Sequence, residues 1–122
     1  MGCDIIIPVW NKKEMTEQCI NSIFANTHCA YRIIIIDNAS DQPTAAYLDE
    51  VATKYPEKVT IIRNRENLGN TKAANQGMLC SRADYVCILD NDTLVFDDWL
   101  SEMIRVAESA KDIGIVGPHS NY

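Results

Sequence analysis

The chain has 122 residues, of which 47% are hydrophobic, and its 17 acids against 11 bases give a formal net charge of -6. That length supports one domain with a real core, and that apolar content excludes a disordered chain. The acidic balance excludes a broad nucleic-acid surface, which needs Lys and Arg along the phosphates. It leaves room for a small anionic ligand held by a metal.

No apolar run is long enough to span a bilayer. The start, Met1-Gly2-Cys3-Asp4, lacks the basic flank of a signal peptide. Gly2 fits a myristoylation site, but Ile6 stands where that pattern wants Ser or Thr. Cys3, Cys19, Cys29, Cys80 and Cys87 are widely spaced, odd in number and form no C-x-x-C pair. A zinc site or disulfide scaffold is not expected, and a reducing cytoplasm fits best.

In chain order, Asp4–Val9 reads as a buried strand. Pro8 lacks an N–H and belongs at its end or a bulge. Asn11 can cap a helix from about Lys12 to Asn26, with Met15, Cys19, Ile20, Ile23 and Phe24 facing inward. Tyr31–Ile36 is a second strand, apolar without interruption as in a parallel sheet, and it ends in Asp37-Asn38. Ser40, Asp41 and Pro43 open a helix to about Tyr55, and Pro56 stops it. Val59–Arg63 is a third strand, followed by a polar loop over residues 64–70. Asn70 or Thr71 then caps a helix reaching about Cys80.

Tyr85–Leu89 is the fourth strand, and it ends abruptly in Asp90-Asn91-Asp92. A helix from Phe96 to Ala110 has Trp99, Leu100, Met103, Ile104 and Ala107 at helical spacing, and Ile113–Gly117 is a fifth strand. The alternation of strands and helices predicts an α/β fold, a three-layer, doubly wound, mainly parallel sheet. The polar strand ends Trp10-Asn11, Asp37-Asn38 and Asp90-Asn91-Asp92 then share one edge, where ligands bind in such sheets.

An unpaired carboxylate cannot enter a core cheaply, so Asp90 and Asp92 mark where the fourth strand emerges. Two close carboxylates repel unless a cation intervenes, and a hard ion such as Mg²⁺ or Mn²⁺ suits oxygen ligands. Asp and Asn are equally ordinary turn residues. On that segment alone, a metal site and a polar turn are both open.

Taken together, Ile5-Ile6-Ile7-Pro8-Val9-Trp10-Asn11, Ile35-Ile36-Asp37-Asn38-Ala39-Ser40-Asp41, Asn67-Leu68-Gly69 with Ala73, Asn75 and Gly77, and Ile88-Leu89-Asp90-Asn91-Asp92 resemble the family-two inverting glycosyltransferases of GT-A fold. No single piece is specific; their order and spacing are. The resemblance runs from Ile5 to the end of the chain. It implies a nucleoside-diphosphate-sugar donor, a hydroxyl acceptor on a saccharide, lipid or protein, inversion, and a role in polysaccharide biosynthesis. It places Pro8, Val9 and Trp10 beside the nucleotide, with the Trp10 ring stacking on the base; a staple against the first helix is the other reading. It places Asp37 and Asn38 at the pyrimidine, which points to UDP or dTDP. Asp37 could equally, or also, cap the turn that follows it.

The resemblance puts Asn67, Gly69, Lys72 and Asn75 near the diphosphate, where Gly69 permits close backbone approach and a helix N-terminus favours phosphate. Lys72 is also open to reading as a solvated side chain. Asp90 falls near the ribose and the Mg²⁺ or Mn²⁺ ion, Asp92 on that ion as a direct ligand, and Asn91 beside the nucleotide. His28 and His119 are read as structural or solvated. No acid here matches the family's general base, which lies in the acceptor half. Residues 1–122 are therefore expected to form a single nucleotide-sugar-binding domain that stops before that half, from a cytoplasmic parent that could work at the inner face of the membrane. A non-catalytic nucleotide-sugar-binding module is the alternative.

Overall fold

A computed structural model of the chain describes residues 2–109. The elements are β1 (Cys3–Val9), α1 (Lys13–Asn26), β2 (Tyr31–Asp37), α2 (Gln42–Lys54), β3 (Val59–Arg63), α3 (Asn70–Cys80), β4 (Tyr85–Ile88) and α4 (Trp99–Glu108). The four strands form one sheet in the order β3-β2-β1-β4, and every neighbouring pair is parallel. The expected fifth strand, Ile113–Gly117, His119 and the end of the last helix lie outside the described residues.

The isoleucine runs are unbroken because β1 and β2 are covered on both faces. Ile5, Ile7 and Val9 of β1, with Ile33 and Ile35 of β2, pack under Cys19, Ile20 and Ile23 of α1 and Tyr47, Leu48 and Val51 of α2. Leu100 of α4 joins the same cluster. Ile6, Ile34 and Ile36 face the other way, against Ala73 of α3. Full burial contributes about 1.5–3 kcal/mol for each such side chain. On the second face α3 approaches closely through small residues. A Cβ built on Gly77 would lie 2.5 Å from Ile6 Cγ2.

Pro8 is the next-to-last residue of β1, consistent with its expected place. Alternation along β1 turns its missing donor toward β4, whose pairing with β1 stops at Ile6. Three local expectations are corrected. Asn11 does not cap α1: Lys12 occupies that position with φ 64° and makes no side-chain cap bond. The Asn11 side chain instead accepts from the Asp41 N–H at 2.7 Å. Neither Asn70 nor Thr71 caps α3; Gly69 does so by backbone alone, with φ 84°. Met15 is exposed and Thr16 is buried in its place. Successive helical residues lie about 100° apart, so a buried stripe of Thr16, Cys19, Ile20 and Ile23 leaves Met15 on its shoulder.

The last helix starts at Trp99 rather than Phe96. The preceding segment is held along α1: Val95 N–H donates to Ser22 Oγ at 3.2 Å, Asn26 Nδ2 to the Val95 carbonyl at 3.0 Å, and Trp99 Nε1 to Thr27 Oγ1 at 2.8 Å. Asp98 N–H likewise leaves the helical pattern and donates to the Asn26 carbonyl at 3.0 Å.

All five cysteines are free thiols. Burial raises Cys3 and Cys19 to about 12 and Cys87 to about 11. A thiolate reagent at neutral pH should therefore modify exposed Cys80 first and half-buried Cys29 next. Mass spectrometry should find the other three unmodified until denaturant is added.

Candidate active site

The chain steps from β1 to β2 to β3 on one side of the sheet, then crosses to place β4 on the other side of β1. The sheet's direction of growth thus reverses between β1 and β4, and an open α/β sheet binds ligands at the carboxyl ends of such strands. The residues at that crevice are Trp10-Asn11 after β1 and Asp90-Asn91-Asp92 after β4. Trp10 is 54% exposed, so its ring has a free face. Val9 and Pro8 are buried beneath it.

Three loops are tied together at this edge. Asn11 N–H donates to Ser40 Oγ at 3.0 Å, and Asn11 Oδ1 accepts from Asp41 N–H, joining the loops after β1 and β2. Asn91 Nδ2 donates to Thr16 Oγ1 at 3.0 Å and to the Asn11 carbonyl at 3.5 Å, joining the segment after β4 to the start of α1. Asn91 is therefore turned inward, while Asp90 and Asp92 on either side of it are exposed. Thr93 N–H closes the turn on the Asp90 carbonyl at 3.1 Å.

Asp37 and Asn38 are buried, and both are occupied. Asp37 Oδ1 accepts from Ser40 N–H at 3.0 Å, which is the turn-capping role the sequence left open. Its Oδ2 pairs with Arg63 Nε at 3.1 Å. Arg63 Nη1 also reaches Asp49 Oδ1 at 2.6 Å, and its Nη2 the Ala45 carbonyl at 3.0 Å. Removing the Asp37 carboxylate strands the Ser40 N–H and loosens Arg63. Bonds to a charged group contribute about 1.5–3 kcal/mol each, discounted here because Arg63 is 42% exposed on its side chain. Asp37→Ala should lower stability by about 2 kcal/mol, read as a drop in urea midpoint at unchanged slope.

Asn38, only 1% exposed, supports the loop over residues 64–69. Its Oδ1 accepts from Asn64 Nδ2 at 2.8 Å and from Leu68 N–H at 3.5 Å, and its Nδ2 donates to the Gly69 carbonyl at 3.4 Å. Asn64 and Gln76 exchange two amide bonds of 2.8 Å. Asn67 Oδ1 accepts from Gly69 N–H at 2.9 Å. The loop so held presents Gly69 and the first turn of α3, with Asn67, Lys72 and Asn75 exposed.

Sequence reading gave no site role to Thr16, Ser40, Arg63, Asn64 and Gln76. Arg63 had a signal: it ends β3 in register with Asp37, so opposite charges fall side by side. The amides of Asn64 and Gln76 carried none, since Asn and Gln are common in loops and on helices.

Asp90 and Asp92 supply two hard carboxylate donors, exposed at a sheet edge, with no ion pair to either among the described residues. That donor set fits Mg²⁺ or Mn²⁺. A different trio, His28, Asp97 and Asp98, brings its ligand atoms within 4.8 Å of one another. It lies beyond the last turn of α1, about 20 Å along that helix from Asn11 by its rise per residue. His28 Nε2 sits 2.5 Å from Asp97 Oδ1, and that bond raises the His28 pKa above its ordinary value. The group reads as an exposed ion pair linking the end of α1 to the start of α4, as expected for a structural histidine.

A parallel doubly wound sheet whose reversal point carries an aromatic face and a pair of exposed carboxylates has the architecture of the GT-A glycosyltransferases. The family model for glycosyl transferase family 2 matches residues 4–121. The chain belongs to that family. A Haemophilus influenzae protein described as an uncharacterized glycosyltransferase is 26% identical over 115 residues, covering 94% of this chain and 35% of its relative. Glycosyltransferase AglE of Haloferax volcanii is 27% identical over 120 residues, covering 97% of this chain and 39% of AglE. Among solved structures, the Pyrobaculum calidifontis mannosyltransferase PcManGT, in complex with GDP-Man and Mn²⁺, superposes with a TM-score of 0.83 at 21% identity, covering 92% of this chain and 33% of that one. S. aureus TarS 1-349 with UDP-GlcNAc gives 0.75 at 16%, covering 96% and 37%. The chain thus spans a little over a third of the length of these curated relatives.

Proposed function

We propose that residues 1–122 are the nucleotide-sugar-binding part of a glycosyltransferase that moves a sugar from a UDP- or dTDP-type donor to a hydroxyl acceptor, with inversion and with Mg²⁺ or Mn²⁺. The observation that carries this reading is the placement of Trp10 and the uncommitted Asp90 and Asp92 past the ends of β1 and β4, with the Gly69 loop held by Asn38 past the end of β2. Trp10 supplies a stacking face for the base. Asp37 retains acceptor lone pairs beyond its two bonds for an imide N–H. Asn38 acts through the loop it holds, together with any direct contact to the base. The first turn of α3 offers backbone N–H groups to the diphosphate, and Lys72 adds a positive charge.

Asp90 and Asp92 would hold the ion. Bound there, it would offset charge on the departing nucleoside diphosphate. The general base is assigned to an acceptor-binding part outside this chain. An apolar face left open among the described residues accords with that assignment. Val86 and Ile88 on β4 are 41% and 50% exposed, and Leu79 of α3 is 88% exposed. β4 also ends the sheet on its side among the described residues. No helix of the described residues is long and apolar enough to cross a membrane. We place the parent in the cytoplasm, with its acceptor deciding any association with the inner membrane face.

PcManGT carries GDP-Man and TarS carries UDP-GlcNAc, so similar folds serve either class of base. Calorimetric titration with UDP, dTDP, GDP and ADP, with and without Mn²⁺, tests the reading. UDP or dTDP should bind tightest, and only with the ion. GDP binding as tightly as both pyrimidine diphosphates would overturn the base assignment; silence from every nucleotide would overturn the site. Nucleotide binding without sugar transfer by a longer parent would instead favour the non-catalytic module.

A further inference from the structure

We infer a second ligand site: a phosphate-binding groove at the amino-terminal edge of the sheet, opposite the proposed donor site. A cavity of about 580 Å³ opens there, lined by Asp4, Tyr31, Arg32, Lys58, Cys80 and Arg82 among others. By strand rise it lies about 20 Å along β1 from Trp10. Three cations reach it from three separate segments: the start of β2, the turn before β3, and the turn after α3. None has a carboxylate within salt-bridge distance among the described residues. In a chain whose 17 acids outnumber its 11 bases, three unneutralised cations on one cavity stand out.

Two of the three are already positioned. Lys58 Nζ donates to the Tyr31 carbonyl at 3.2 Å and lies 4.0 Å from the Tyr31 ring centroid, which leaves further N–H donors for a ligand. Arg32 Nη2 bonds Thr60 Oγ1 at 3.4 Å, using one of five guanidinium donors. Arg82 is exposed and makes no side-chain hydrogen bond among the described residues. The opposing charge is Asp4, 6% exposed, whose Oδ2 accepts from Ser81 Oγ at 2.7 Å. The groove therefore keeps an excess of positive charge, which concentrates anions. Guanidinium forks match the oxygens of phosphate, and a dianion can engage Arg32, Lys58 and Arg82 together. The phosphate belongs either to a small soluble ligand or to a phospholipid headgroup.

The test is made without metal, in EDTA, so that the Asp90–Asp92 site stays out of the reading. Melting temperature is followed against inorganic phosphate at constant ionic strength with chloride as reference, and cosedimentation is measured with vesicles of phosphatidylglycerol or phosphatidylcholine. Phosphate should raise the melting temperature beyond chloride, or phosphatidylglycerol vesicles should retain the protein; which of the two occurs names the source. The double variant Arg32→Gln, Arg82→Gln should weaken that binding by about tenfold or more, since each lost charge-assisted bond is worth about that factor. Asp4→Asn, which keeps an acceptor for Ser81, should strengthen it. Lys13→Gln, a single charge loss at the opposite edge, should leave it unchanged. The site is refuted if phosphate matches chloride and neither vesicle binds. It is equally refuted if the double variant retains wild-type affinity, or if Lys13→Gln weakens binding as much as the double variant does.

Discussion

Asp92→Ala should abolish Mn²⁺-dependent nucleotide binding while leaving the fold intact. Asp92 is exposed, lies past the end of β4, and makes no side-chain bond among the described residues, so its loss leaves the core untouched. Its removal also relieves charge repulsion with Asp90 when no ion is bound. With nucleotide and ion present the sign reverses, because the proposed cation site would lose one of its two carboxylates and the diphosphate charge would be poorly offset. Asp90→Asn should be milder, since an amide oxygen can still face the ion or ribose. Binding stabilises the folded state by mass action, so the melting-temperature shift produced by Mn²⁺ with UDP reads the effect directly. A full shift in the Asp92→Ala protein would reduce Asp90-Asn91-Asp92 to a turn.

The second large effect is expected at Gly77. Its absent side chain is what lets α3 rest on the sheet. A Cβ there would meet Ile6 Cγ2, Cγ1 and Cδ1 at 2.5, 2.9 and 3.0 Å. Ile6 is fully buried in a central strand, so no part of it can swing into solvent. Alanine gains about 1 kcal/mol in helix propensity over glycine, while overpacking a core costs about 1–3 kcal/mol. The clash wins, and Gly77→Ala should destabilise modestly. Gly77→Val adds a branched side chain in the same space and should cost about 3 kcal/mol or more. Because α3 carries Lys72 and the loop over residues 64–69 rests on Gln76, the lifted helix should weaken nucleotide binding as well. Adding Ile6→Ala to the Gly77→Ala protein should recover part of the loss beyond additivity, and a double-mutant cycle measures that coupling.

The strands were legible because β1 and β2 are covered on both faces, so their apolar runs are continuous and end abruptly in polar residues. The parallel order followed from the helices between them. Strand ends on one edge also made Trp10, Asp37 and Asp90 a group in the sequence alone. Helix starts were less legible. Asn11, Asn70 and Thr71 are good caps by residue type, but tertiary bonds to Ser40 and Asp41 took Asn11, and Gly69 left its two neighbours inside the helix. A local rule cannot anticipate a partner some thirty residues away. Asp37 illustrates the same limit in the site. Its position at a strand end was readable, while its double engagement with Ser40 and Arg63 depended on strand register.

The loop leading into α3 rests on amides: Asn38, Asn64 and Gln76 bond one another and the backbone of Leu68 and Gly69. None of these groups gains or loses a proton across the range in which proteins stay folded. An aspartate at position 38 would have put a titrating group beneath the loop, facing the Gly69 carbonyl without a proton to donate. With asparagine there, the cradle offered to a ligand's phosphates should hold its shape through acidification. Any loss of nucleotide affinity at low pH then arises outside this amide-held loop.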